Sequence, residues 1–195
     1  MVGGEAEIYV TGSNDRQTWY VYNSKAGYVN SNVVTVAYEF SLPRPYISVT
    51  YADGKATIAV EGATEYVVYK NGEQISTNVF TSSNCNNGDK ITVAAKSGDN
   101  LSELSNTITL QKLSAPLIDG SRNHVYVSAN VSDVTTFVKI EDEGTDGNDD
   151  SWHSVGMIDG EAEVYAYGDN DIHTWYAYNS KSGWIDSDIV IVSYE

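Results

Sequence analysis

The chain has 195 residues, with 11 Lys and Arg set against 27 Asp and Glu, a formal charge of −16. That balance excludes partners held through clustered cations, since nucleic acid requires Lys and Arg that displace condensed counterions and an anionic membrane requires a polybasic patch. No window approaches the ~18 consecutive apolar residues of a spanning helix, so membrane insertion is not expected, and 15 Tyr beside only three Phe, with abundant Val, Thr, Ser and Asn, favours strands.

Taken from the N-terminus, Met1-Val2-Gly3-Gly4-Glu5 lacks the basic-then-apolar pattern of a secretory signal. Read as a native start, it implies a protein made and kept in a cytoplasm or released by lysis. Residues 5–10 alternate apolar and polar side chains and predict a strand. In residues 18–22 the strand period puts Trp19 and Val21 on one face and Tyr20 and Tyr22 on the other. A polar hairpin tip follows, with Tyr28 directly after Gly27. Pro43 and Pro45 then interrupt the pattern, as residues without an N–H do at an edge or linker. Alternation resumes in residues 55–60 and 90–94, and between them Asn71-Gly72 predicts a tight turn because both residues tolerate positive φ. The single cysteine, Cys85, lies in a polar run with no His or second Cys beside it. It reads as a buried or loop thiol, and no internal disulfide is possible. Pro116 opens the last segment, and no stretch of the chain carries convincing helical spacing of apolar residues.

The chain repeats itself. Residues 4–39 match residues 160–195 at a constant offset of 156 with 21 of 36 positions identical, among them Thr18-Trp19-Tyr20 with Thr174-Trp175-Tyr176 and Tyr22-Asn23-Ser24-Lys25 with Tyr178-Asn179-Ser180-Lys181. Ile8 becomes Val164, Val29 becomes Ile185 and Val33 becomes Ile189, exchanges expected to preserve a buried apolar volume. A diverged third copy spans residues 90–110, where Lys96-Ser97-Gly98 parallels Lys181-Ser182-Gly183 with an insertion of three residues in the turn. The expected modules are residues 1–42, 43–115 and 116–195. The first corresponds only to the second half of the last (159–195), some four strands where a sandwich needs about seven, so it is truncated and something must complete it. Packing on the second module, a neighbouring subunit or a larger assembly would each serve.

Residues 63–75, carrying Tyr-x-Val-Tyr-x-Asn-Gly, followed by residues 89–96 and 104–110, resemble a fibronectin type III or related immunoglobulin-like module. Through the internal repeat the resemblance extends over most of the chain. It implies an all-β fold of tandem antiparallel β-sandwich modules, the first truncated, and a non-enzymatic role. It further implies families such as bacteriophage auxiliary capsid (decoration) proteins and bacterial surface proteins.

The residues themselves offer little chemistry. Of the three histidines, His124, His153 and His173, the last is replaced by Gln17 in the first copy, so the repeat does not need its imidazole. No nucleophile elbow, zinc-binding helix motif, phosphate loop or Cys pair is present, and Glu5 with Glu7, like Glu161 with Glu163, reads as solvated edge charge on one strand face. No cofactor is expected. A weak Ca²⁺ possibility attaches to Asp146, Asn148 and Asp150, which alternate in an acidic tract; the tract is not an EF-hand, for Ser151 stands where Gly is needed and Met157 where Glu is needed. The candidate binding surface is aromatic: Tyr28 and Trp184 at equivalent hairpin tips, with Trp19, Trp175 and Tyr176 on the strands, suited to a protein contact or to stacking on sugar, against the alternative of packing on a neighbouring module. Charge divides as −2 in residues 1–42, −1 in 43–115 and −13 in 116–195. The expected protein is therefore structural or binding, its near-neutral end attached to a protein scaffold such as a capsid or neighbouring subunits and its acidic end projecting from a virion surface. The alternative is a bacterial cell-surface adhesin or carbohydrate-binding protein that contacts glycan through Trp184, Trp175 and Tyr28.

Overall fold

Alternating side chains and β-branched residues make strands along the whole of the computed structural model, which describes residues 16–39, 41–142, 151–166 and 172–195. Among those residues every regular element is a strand. The strand expected at residues 5–10 and the candidate Ca²⁺ ligands Asp146, Asn148 and Asp150 lie outside them.

The first copy contributes β1 (Arg16–Val21) and β2 (Val34–Glu39), which among the described residues form an antiparallel pair. The middle segment supplies β3 (Tyr46–Ala52), β4 (Lys55–Glu61), β5 (Tyr66–Lys70), β6 (Glu73–Ile75), β7 (Val79–Phe80), β8 (Lys90–Ser97), β9 (Asn100–Leu101) and β10 (Ile108–Thr109). They form one sheet ordered β3-β4-β7 and another ordered β10-β8-β5-β6, with β9 turning back on β8. The last segment repeats that plan: β11 (Leu117–Ser121), β12 (His124–Ser128) and β15 (Glu161–Tyr165) make the smaller sheet. The larger is ordered β14-β13-β16-β17, from β13 (Thr135–Asp142), β14 (His153–Val155), β16 (His173–Ser180) and β17 (Val190–Tyr194).

Each pair of sheets closes on an apolar core, because one face of every strand carries its larger aliphatic or aromatic side chains. Ile47, Ala56, Ile58 and Phe80 of the smaller sheet meet Val68, Ile91 and Val93 of the larger one. Val125 and Val127 similarly meet Val138, Trp175 and Ala177. Turns follow local chemistry: Asn71 and Gly72 both take positive φ (54° and 87°), giving the two-residue connection that joins β5 to β6.

One hydrogen-bond pattern marks all three copies. Ser187 receives the Asn179 N–H on its hydroxyl and returns its own N–H to the Asn179 carbonyl; Ser31 and Asn23 do the same, as do Ser105 and Val93. The paired residues are 8 apart in the outer copies and 12 apart in the middle one. By this register the middle turn carries four extra residues rather than the three inferred from aligning Lys96 with Lys181, because β9 folds back on β8 and lengthens the loop.

Candidate interaction surface

The duplicated hairpin exists twice in the molecule, once covered and once open, and the difference defines the candidate site. In the covered copy β16 alternates strictly, with His173, Trp175, Ala177 and Asn179 buried. Trp175 is 0% exposed and donates its indole N–H to the Arg122 carbonyl, which also lies 2.8 Å from His173 Nδ1. Asn179 is equally enclosed: its amide donates to the Ser114 and Ala129 carbonyls at 3.0 and 2.7 Å, and its carbonyl oxygen accepts from Thr136 Oγ1 at 2.7 Å. These bonds meet the requirement that a buried amide be satisfied.

The tip of the same hairpin reaches into the middle module. Ile185 is 0% exposed and belongs to the core built from Phe80, Cys85, Ile91 and Leu110. Its N–H donates to the Gln111 carbonyl and its carbonyl accepts from Leu113 N–H. Beside it Lys112, itself buried, donates to the Ser82 and Cys85 carbonyls and to both Asp188 oxygens at 2.8 Å. Asp186 covers Gly54, where a Cβ would overlap its carboxylate; Gly54 also holds φ +67°, so a larger residue is disfavoured twice over. Burial raises the Cys85 thiol above its usual range, partly offset by the Lys112 charge. The sulfur donates to the Thr81 carbonyl, so the thiol serves the core.

In the open copy the counterparts Val21, Asn23 and Val29 face solvent. Val29, the counterpart of Ile185, is 97% exposed. Pairing of β1 with β2 sets Trp19 opposite Val36, Val21 opposite Val34 and Gln17 opposite Tyr38, which gathers one apolar face. On it Val21, Val34, Val36 and Tyr38 are exposed, and Trp19 is only half-buried. Tyr20 and Tyr22 on the opposite face are exposed as well. At the tip Tyr28 is 70% exposed, with Lys25 Nζ 4.9 Å from its ring centroid.

The aromatic candidates thus separate. Tyr28 is on the surface and Trp19 lies at the edge of the open face, whereas Trp175 is core and presents nothing to a ligand. Trp184 is half-buried beside the inserted Ile185, its N–H bonded to the Lys181 carbonyl as Tyr28 N–H is to Lys25. Tyr176 sits on the outer face of the larger sheet, in a cluster that residue types alone did not reveal. There Phe137 stacks on Tyr178, Trp152 meets Tyr178 and Tyr176 edge-on, and Lys139 lies over the Tyr176 ring. Tyr176 donates to Glu141 at 2.5 Å, which raises its own phenol. The Lys139 ammonium, hydrogen-bonded to Glu141, is the first cause holding that carboxylate below its ordinary range, followed by the Tyr176 hydroxyl.

The expected preservation of buried volume needs correction at two positions. Val33 and Ile189 are exposed in both copies, because they lie between the serine bond and the start of the final strand. Val29 and Ile185 share a volume but not an environment, since Ile185 is buried in the neighbouring module's core. Sequence reasoning missed the Lys112–Asp188 pair and the role of Asn179; the retained Asn23-Ser24-Lys25 and Asn179-Ser180-Lys181 identity was the available signal for the latter.

The histidines are dispersed: His124 stacks on Tyr165 with ring centroids 4.3 Å apart, His153 lies on the edge strand β14, and His173 is buried in the core. Among the described residues no group of three or more His, Cys, Asp or Glu is placed to hold a metal ion.

Strand order and facing cores define the class: tandem antiparallel β-sandwich modules of immunoglobulin-like or fibronectin type III-like form, preceded by an open hairpin of the same design. No family model matches the chain, and no curated protein does. Among solved structures it is similar to the chicken interferon gamma receptor alpha chain, at 11% identity and TM-score 0.32 over 78% of this chain and 98% of that one. It is also similar to the human OSCAR ligand-binding domain, at 13% identity and TM-score 0.29 over 78% and 99%. A two-domain fibronectin type III segment of chicken tenascin matches at 13% identity and TM-score 0.31, again over 78% and 99%. The fold rests on the strand order rather than on these likenesses.

Proposed function

We propose that this chain is a non-enzymatic structural and binding protein of a virion surface, an auxiliary capsid protein seated on a protein scaffold through its N-terminal hairpin and projecting its acidic C-terminal module. The observation that carries the reading is the open hairpin, where Val21 and Val29 are solvent-exposed while their duplicates Ala177 and Ile185 are buried within the same chain and Trp19 is half-exposed where Trp175 is fully buried. Exposed apolar patches of this kind mark interaction sites. Charge supports the direction, because residues 116–195 carry −13 of the total −16 and the hairpin end is close to neutral.

The test is co-sedimentation with bacteriophage capsids that lack their auxiliary proteins. Saturable binding lost in Val21→Asp and kept in Trp184→Ala supports attachment through the hairpin. Absence of capsid binding, with glycan-array binding abolished by Trp184→Ala, overturns it in favour of a cell-surface carbohydrate-binding protein, for which Trp184 and Tyr28 supply the aromatic tips.

A further inference from the structure

The open hairpin has a defined complement, because its duplicate shows what covers these residues. In the last module β16 takes β13 on the edge away from β17, paired from Thr135 opposite Ser180 to Asp142 opposite His173. The apolar face of β16 is then closed by Val125 and Val127 of β12. Both covering elements come from residues 116–158, directly ahead of the hairpin. Beyond them Ile185 enters the core of a further sandwich. The first copy retains the side chains that make these contacts, with Trp19 for Trp175, Val21 for Ala177, Asn23 for Asn179 and Ser31 for Ser187. It also retains the serine bond that shapes the tip. Among the described residues no strand pairs with the other edge of β1 and no sheet lies over Trp19.

We propose that the free edge and apolar face of β1–β2 receive a β half-module of the kind formed by residues 116–158, contributed by the scaffold chain to which the hairpin attaches. The partner adds a strand antiparallel to β1, in the register that β13 takes on β16, and lays a second pair of strands over Trp19, Val21, Val34 and Val36. Strand addition suits the site because main-chain bonds supply affinity and side-chain pockets supply specificity. The partner's chemistry is narrowed further at the tip. Where Asp186 and Asp188 engage Gly54 and Lys112, the first copy has Asn30 and Asn32. Asn32 cannot neutralise a buried ammonium, so the socket that takes Val29 is apolar, with backbone groups in place of a lysine.

This inference deepens the proposed attachment through the hairpin, but its test does not depend on a virion. A second copy of residues 116–158 is fused through a flexible linker ahead of residue 1 of the full chain, which sets a millimolar effective concentration. Amide exchange of β1 is then compared with that of the unfused chain. The expected result is protection of the Arg16–Val21 amides by about 100-fold or more, with Trp19 fluorescence shifted to the blue, and loss of both when Val21→Asp is introduced into the fusion. Unchanged exchange in the fusion overturns the proposal. So does protection already present in the unfused chain together with a concentration-dependent dimer in sedimentation, since the occupant is then a second copy. Failure to bind capsids alongside a protected fusion rejects the virion setting and leaves the half-module as the occupant.

Discussion

Asn179 and Asn23 hold the same position in the two copies, so the duplication measures what burial does to a residue. Asn179 satisfies three hydrogen bonds away from water, and its replacement by Ala strands the Ser114 and Ala129 carbonyls and the Thr136 hydroxyl. We expect Asn179→Ala to destabilise the last module by about 3 kcal/mol, from unsatisfied groups at roughly 1–3 kcal/mol each with partial relaxation. Asn23→Ala, at an exposed site, should change stability by less than ~0.5 kcal/mol. Urea unfolding of the two variants checks both. Asp89 supplies a pH-dependent counterpart. Burial works to raise its pKa, but the Asn86 N–H, the Asn71 amide and the Lys70 charge outweigh it and hold the carboxyl below its ordinary range. A depressed folded value means that its stabilisation is complete above the unfolded pKa of ~3.9 and is lost as pH falls below that value through the folded one. The difference in urea midpoint between wild type and Asp89→Asn should therefore be constant near neutrality and shrink as pH falls below about 4.

At the scale of elements, the hairpin tip formed by residues 181–187 belongs to one sandwich by sequence and to its neighbour by packing. Ile185→Ala should cost about 2–4 kcal/mol, typical of an aliphatic side chain removed from a closed core. The loss should fall on the middle module, whose core Ile185 completes. Ile185→Asp should go further and separate a coupled thermal transition into two, which differential scanning calorimetry reads directly. Much of the sandwich was legible in the sequence because its information is local: alternation gives β4 and β8, and Asn71-Gly72 gives the turn after β5. The insertion of Ile185 was not, since an aliphatic residue at a hairpin tip is the same letter whether it meets solvent or a neighbouring core. Val29 shows that alternative in the same chain. The outer aromatic cluster was hidden for a related reason: Phe137 and Tyr178 lie on different strands and Trp152 directly ahead of a third, and only register brings them together. Trp19 and Trp175 look equivalent by period, and the facing sheet that brings Val125 and Val127 against Trp175 decides that it is core.

The whole molecule is graded from an open, near-neutral hairpin through a middle sandwich of charge −1 to a sandwich of charge −13. Like charge on residues 116–195 discourages contact between two such modules. Lys112 marks the join: its ammonium is enclosed by the middle module's carbonyls while its counterion, Asp188, comes from the acidic one. With Ile185 seated in the adjoining core and Asp186 N–H tied to the Gly54 carbonyl, the connection near Pro116 is not a free swivel. Bending or twisting one sandwich against the other has to withdraw an aliphatic plug and part an ion pair before any backbone dihedral can relax. A load applied across this join is therefore carried as by a stiff strut, and withdrawal of the Ile185 plug, rather than elastic bending, sets the force at which the two sandwiches part.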